Sequence, residues 1–436
     1  MAKQMHLISF LIHSPMNHTI LSWADQKDER LANLGSIKAW QDLGRTLEKG
    51  RFDAIFFADT PGVFDRYKER ADEAVRYGVC WPAHDPTVLL PAMGAATECL
   101  GLAVTLSISV IPPYNAVRTL STIDYLTGGR AGWNVVTGHL RGEHRALGIE
   151  SMDHDERYDR ADEHLEVCHK LWNGIHPGAV IADRASGEFA DPRKVDRIRH
   201  SGKYFKYDGV APVLPSPQGH PVIFQAGSSG RGQEFAVKHA EVMFSIQPHV
   251  EGMQRYMGQI RDAGAKHGRK DPIRVLFGVQ PIIGGTEAEA QKHYDDLLAR
   301  VPVEAALARL SGSLGVDFST FELDKPLEEQ PTNASQGMMK AMTAMVGGKR
   351  MTLREIAQYW GMGVGMMPII GTPDQVADRM ETIWRETGCC GFNLTPTIND
   401  GSIRDFVDEI VPRLQKKGVY RTDYAHSTLR GNLSDD

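Results

Sequence analysis

The chain has 436 residues, 42% of them hydrophobic, which is enough for a substantial core in one large or two ordinary domains. Its formal net charge is −6 and no long Lys/Arg run offsets it locally, so a nucleic-acid partner is excluded as an expectation. The apolar stretch inside "MAKQMHLISFLIHSPMNH" is about eight residues long and broken by His and Pro, too short for a membrane span or a signal core.

Cys80, Cys99, Cys168, Cys389 and Cys390 are odd in number, lack the paired CxxC spacing of zinc sites and include a vicinal pair of a kind that rarely bridges. They predict reduced thiols in the cytoplasm and no metal site.

In chain order, short runs rich in β-branched, aromatic and aliphatic residues alternate with amphipathic segments. Strands are predicted at 5–12, 53–58, 102–108, 131–136, 221–226, 242–246, 274–282 and 391–395. Helix starts lie between them. Asp85-Pro86 places a capping side chain before a proline tolerated in the first turn, Thr286 to Glu289 reads as a capping box, and Thr372-Pro373-Asp374-Gln375 repeats the pattern. Eight strands each followed by helix make an α/β TIM barrel the first expectation, with a doubly wound open sheet second. A plain barrel needs about 250 residues, so a single domain here carries roughly 190 residues of insertion. Two stretches fit: 174–219, a charge-rich surface excursion with a short hairpin, and 301–370, a candidate lid over the site.

Chemistry in such barrels sits at the C-terminal strand ends. The predicted strands deliver His13 and His18, Asp59 and Thr60, Thr105, Ser107 and Ser109, Asn134 and Thr137, Ser228 and Ser229, Gln247, and Asn393 and Thr395. Any one of these is readily structural; together they make a polar mouth. The fifth strand runs into "GSSGRG" at 227–232, where a strand end meets a helix start and unpaired N–H groups with the positive dipole end favour an anion. The spacing is neither a P-loop nor a dinucleotide fingerprint, so a single phosphate monoester fits better than a nucleoside triphosphate. A glycine-rich turn that binds nothing is the alternative. In "SMDHDERYDRADEHLEVCHKLW", Tyr158, Ala161, Leu165, Cys168 and Trp172 recur at helical spacing, with Ser151 or Asp153 as cap. His154 and Tyr158, four apart, share one face and can both donate to an anion near the serine loop.

The blocks "RTLEKGRFDAIFFAD", "PPYNAVRTLSTIDYLTGGRAGWNVVTG", "HDERYDRADEHLEVCHKLW", "SPQGHPVIFQAGSSGRGQEFA" and "YRTDYAHSTLRGNL" resemble the nitrilotriacetate monooxygenase and dibenzothiophene-sulfone monooxygenase branch of the bacterial luciferase-like superfamily, over nearly the whole chain. The resemblance implies a TIM-barrel monooxygenase that uses reduced FMN, supplied by a separate NAD(P)H:flavin reductase, and O2 as co-substrate, through a flavin C4a-peroxide. Carried over residue by residue, it places FMN contacts on Asp59, Thr105, His154, Tyr158 and Ser229, with Ser228 beside the phosphate. It places the catalytic histidine on His18 and the following aromatic on Trp23. His13, Phe10 and Phe57, with Trp23, are expected on the substrate side, and His84 and His139 are secondary histidine candidates. Some sulfone-cleaving relatives carry Ser directly after "NVVT" where this chain has Gly138, which counts against sulfone chemistry.

His18 is expected to donate or accept a proton, since an imidazole titrates near neutral pH. Met338, Met339, Met342, Met345, Met351, Met362, Met366 and Met367 concentrate in the candidate lid and suit an adaptable apolar wall. A heteroaromatic or organosulfur substrate follows from that wall, while Lys340, Lys349 and Arg350 suit an amine or carboxylate compound. The rival readings are a deazaflavin-dependent oxidoreductase of the same superfamily and a non-catalytic flavin-binding protein. No nicotinamide-binding fingerprint occurs, which is why the reductase is expected as a separate chain; a homodimer or homotetramer is expected from the family.

Overall fold

The computed structural model describes residues 4–227, 229–344 and 350–434; Ser228, Met345 and Lys349 of the sequence analysis lie outside the described residues. Eleven strands occur among them: β1 (His6–Ile12), β2 (Ala54–Ala58), β3 (Gly101–Ser107), β4 (Ala131–Val136), β5 (Ile198–Ser201), β6 (Lys206–Gly209), β7 (Val222–Gln225), β8 (Val242–Ser245), β9 (Arg274–Ile283), β10 (Met367–Gly371) and β11 (Gly391–Leu394). Eight are the predicted ones, and they close a parallel barrel in the order β1-β2-β3-β4-β7-β8-β9-β11. Closure runs through Ser245 opposite Phe277, Gly278 opposite Asn393 and Ile8 opposite Asn393. The open-sheet alternative is thereby set aside.

The period-2 alternation of a strand sorts its residues into two cores. Ile8, Phe10, Ile12, Ala54, Phe56, Ala103, Phe224 and Phe244 fill the barrel interior. Leu7, Leu11, Ile55, Phe57, Leu102, Val104 and Trp133 face outward and are covered by helices. β5 and β6 form an antiparallel hairpin within 174–219.

β10 was not predicted. It lies in the 301–370 stretch and adds a parallel strand outside the barrel, on β9. Its sequence, MPIIG, follows the methionine-rich run and starts with a proline at its second position, so no alternation marks it. The capping boxes at Thr286 and Thr372 both form, and Asp85 caps the turn Pro86–Val88. Asp153 occupies the N-cap of helix His154–Trp172, without a side-chain bond. The 301–370 stretch contributes helix Val303–Leu314, buried over most of its length, and helix Leu353–Gly363, packed against it. Both contribute to the barrel-side core, and this part of the stretch roofs the first-strand side of the mouth.

Candidate active site at the barrel mouth

β7 ends at Gln225 and the chain re-enters helix at Gly230–His239. Ser229 caps that helix, its Oγ accepting from the Gly232 N–H at 3.0 Å. Helix His154–Trp172 brings the Tyr158 hydroxyl to the same point. A Cβ added at Gly232 would lie 2.8 Å from Tyr158 Oη and 2.9 Å from Ser229 Oγ, so glycine keeps the space between these hydroxyls and the helix end open. Tyr256 Oη donates to Gly227 O at 2.5 Å and fixes the loop from below. The His154 ring lies 5.2 Å from that of Tyr158, with Nδ1 2.7 Å from Asp155 Oδ1. Burial raises the Tyr158 hydroxyl pKa and keeps it a neutral donor. Arg231 is committed to Asp159 and Asp162 at 3.0 and 2.5 Å. Two hydroxyls and a helix N-terminus therefore converge at one strand-to-helix corner, a donor set of the kind that serves a small oxyanion; among the described residues its one arginine, Arg231, is already paired.

Across the mouth, Thr105 Oγ1 accepts from Asn134 Nδ2 at 2.9 Å. The Asn134 carbonyl oxygen has no partner, nor do buried Thr60 Oγ1, Glu143 Oε1, Asn393 Oδ1 and His18 Nε2. Each such buried orphan costs free energy unless a ligand or water answers it, and five around one rim describe a site that binds something polar. Asp59 sits among them. Burial first, then the charges of Asp85 and Glu143, push its carboxyl from the usual 3.8 to about 7. The folded chain thus holds this proton more tightly than the unfolded chain. The associated stability is whole below the unfolded value near 3.8, declines as pH rises, and is gone above about 7. Asp59→Asn removes that dependence: its melting temperature is expected to gain on the parent as pH rises through this window and to level off above it, by a few kcal/mol at most.

His18 closes the first-strand side. It is 3% exposed and stacks on Phe10 at 4.2 Å and 13°. Beneath lie Phe56 and Phe244, 5.4 and 5.1 Å from the Phe10 ring. Arg309, on helix Val303–Leu314, donates to His18 O at 2.6 Å and reaches His18 Nδ1 at 3.2 Å. Burial, reinforced by the Arg309 charge, lowers the His18 pKa well below 6.5.

Two expected residues lie elsewhere, while Trp23 packs against the barrel-side core. Phe57 belongs to the outward face of β2 and packs edge-on to Trp40 at 5.7 Å; Phe56 takes the inward place. His13 likewise turns outward, its ring 5.1 Å from Trp40 and 5.1 Å from His84. Phe57 has odd parity on β2, whose even residues face in, so alternation corrects it; His13 lies just past the end of β1, and its contact with Trp40 shows its direction. Trp23 packs at 77–78, donating its indole N–H to Tyr77 O at 3.2 Å. Glu143 and Arg309 escaped sequence reading because each arrives from a helix with no local motif to mark it.

Gly138 has φ +66°, and a Cβ there would lie 2.8 Å from Glu143 Oε1, 2.9 Å from Ser109 Oγ and 3.0 Å from Ser107 Oγ. The place a serine would occupy is filled by this carboxyl and these hydroxyls. Gly138→Ser is expected to lower stability by about 1–3 kcal/mol, read as a lower thermal midpoint, because it adds left-handed strain to a crowded polar cluster.

A cavity of about 350 Å³ opens alongside, lined by Phe64, His139, His144, Arg145, Arg157 and Asn333 among others. Arg157 joins it to the helix bearing Tyr158 and is held by Met152 O at 2.9 Å and Asn333 O at 2.6 Å. Among the described residues no helix is long and apolar enough to cross a membrane.

The sequence profile of luciferase-like monooxygenases matches residues 16–390. The long-chain alkane monooxygenase of Geobacillus thermodenitrificans (strain NG80-2) is 38% identical, with 99% of this chain and 94% of that protein covered. The dibenzothiophene-sulfone monooxygenase of Rhodococcus erythropolis (strain XP) is 37% identical, covering 99% and 96%. The crystal structure of a riboflavin lyase with modified FMN and riboflavin superposes with a TM-score of 0.92 at 33% identity, covering 100% of this chain and 96% of that one.

Proposed function

This chain belongs to the luciferase-like monooxygenase family, and from that premise we propose that it is the oxygenase of a two-component system, using reduced FMN and O2 to oxidise a small organic substrate. The single observation that carries the flavin assignment is the corner at Gly227, Ser229, Tyr158 and Gly232, where two hydroxyls meet at a helix N-terminus, the donor chemistry a phosphate monoester requires. The unanswered polar atoms of Asn134, Thr60 and Asn393 and the carboxyl of Asp59 suit the edge of a flavin ring lying back across the mouth. Ser229 and Tyr158 would hold the phosphate and Thr105 and Asp59 would contact the flavin, with His154 beside Tyr158.

Reduced FMN, when bound, supplies the electrons that activate O2; the protein's task is to place the substrate and exclude water. Phe10, Phe56 and Phe244 provide an apolar floor, and the roof helix Val303–Leu314 closes one side. His18 Nε2 is buried here without a partner. The reading extends to a separate NAD(P)H:flavin reductase, a cytoplasmic location and a homodimer or homotetramer. The cavity beside His139 and Arg157 is the proposed substrate approach.

The test is oxygen consumption with enzymatically reduced FMN against a panel of heteroaromatic, organosulfur, alkyl and carboxylated compounds, with hydrogen peroxide measured in parallel. Substrate-dependent uptake with oxygenated product and little peroxide supports the reading. Hydride transfer without oxygen uptake, or tight binding of oxidised FMN with no turnover, would overturn it.

A further inference from the structure

Among the described residues Arg309 has no carboxylate within ion-pairing distance, although the residue is only 3% exposed. Its neighbours are neutral: His18 O at 2.6 Å, His18 Nδ1 at 3.2 Å and the Cys80 thiol. An unpaired buried cation is costly, and desolvation lowers the Arg309 pKa accordingly. A guanidinium has donors only. Whatever reaches it through a ring nitrogen must therefore accept.

We propose that Arg309 is a positioning residue that fixes the His18 tautomer: by donating to Nδ1 it leaves the single ring proton on Nε2, which faces the mouth as a hydrogen-bond donor and not as a base. This rests on the site assignment above but concerns residues of this chain alone. The geometry has three parts. Nδ1 is occupied by Arg309 and so carries no proton. The ring plane is set by the stack on Phe10, 13° from parallel. Nε2 is buried with no partner of its own, which leaves its N–H for whatever the mouth binds.

The guanidinium charge adds to this by polarising the ring, strengthening the Nε2–H toward an oxygen that becomes negative in the mouth and disfavouring a second proton. The groups around the ring agree. Arg309 approaches from the roof helix with the Cys80 thiol beside it, and burial raises that thiol. Among the described residues no carboxylate is hydrogen-bonded to the His18 ring, so nothing there stabilises a second proton on it. The roof thereby acquires a chemical duty: it sets what the first-strand histidine can do. His18 is thus assigned a hydrogen-bond donor's role in place of the proton transfer expected from the sequence.

The test is long-range 1H–15N correlation on protein labelled at histidine nitrogens, without flavin, with His18 assigned by its loss in His18→Asn. The expected parent spectrum is a neutral ring protonated at Nε2, unchanged between about pH 5 and about 8. Arg309→Met is expected to release Nδ1, giving a mixed-tautomer or titrating signal, and to lower kcat about 100-fold with KM little changed. Arg309→Gln, which keeps an N–H donor without charge, is expected to restore most of the Nε2–H signal and part of kcat. A parent ring protonated at Nδ1, or an Arg309→Met spectrum identical to the parent, would overturn the proposal. Should Arg309→Met not fold, the parent spectrum alone still decides it. Failure of the flavin reading would show instead as absent oxygen uptake with the parent tautomer intact.

Discussion

His18→Ala is expected to lower substrate-dependent oxygenation by about 10²–10³-fold, the span lost with one hydrogen-bond donor aimed at developing negative charge. Oxygen uptake with reduced FMN continues, but the product shifts toward hydrogen peroxide. His18 is not part of the phosphate corner, so the affinity for reduced FMN stays at the parent value. The expectation follows from position: an imidazole 3% exposed, stacked on Phe10, tied to Arg309 and directing an unanswered Nε2 into the mouth. Truncation removes that donor and opens a space beside Phe10 through which water reaches the reacting groups. Stopped-flow absorbance with product and peroxide assays checks this; parent turnover with intact coupling would remove His18 from the chemistry.

The second large effect concerns the phosphate corner. Hydrogen bonds to charged groups contribute about 1.5–3 kcal/mol each, so Ser229→Ala and Tyr158→Phe should each weaken reduced FMN binding by about 10- to 150-fold. Gly232→Val acts differently. Its Cβ alone would lie 2.8 Å from Tyr158 Oη and 2.9 Å from Ser229 Oγ, and the added methyls fill the cradle, so binding is expected to be lost beyond what either hydroxyl deletion removes. These two hydroxyls share one ligand group, so the Ser229→Ala/Tyr158→Phe double variant should fall short of the sum of the singles. Anaerobic titration reads all four variants.

How much of this was legible in the sequence depends on the range of the interaction. The barrel strands announce themselves because their apolar runs are local, and the Thr286 and Thr372 caps form because a capping box lies within four residues. The Ser229 corner was readable for the same reason: a strand, a glycine-serine turn and a helix adjoin in the chain. Phe57 was misplaced although the information was present, since parity along "AIFFA" puts Phe56 inside and Phe57 against Trp40. His13 lies one residue past β1, where strand parity no longer decides, and turns to Trp40.

Arg309 and Glu143 are another matter. Arg309 meets His18 across 291 residues of chain. Glu143 meets Ser107 and the space above Gly138 only because helix Arg141–Leu147 folds over the mouth. No periodicity or motif encodes such a meeting; it is a product of the closed barrel. The same holds for Asp59, whose raised pKa arises from burial and from Asp85 and Glu143, none of which its local sequence predicts. β10 was missed because a strand added outside the eight needs no alternation of its own.

The most direct measurement compares the anaerobic dissociation constants of reduced FMN and reduced riboflavin, which differ only in the phosphate, for the parent and for the Ser229→Ala/Tyr158→Phe variant. The expected result is that the parent prefers FMN by at least about 100-fold, as two charge-assisted hydrogen bonds allow, and that this preference collapses in the variant while riboflavin affinity is unchanged. Equal affinity of the parent for the two flavins, or a preference that survives in the variant, would contradict the assignment of the phosphate to this corner.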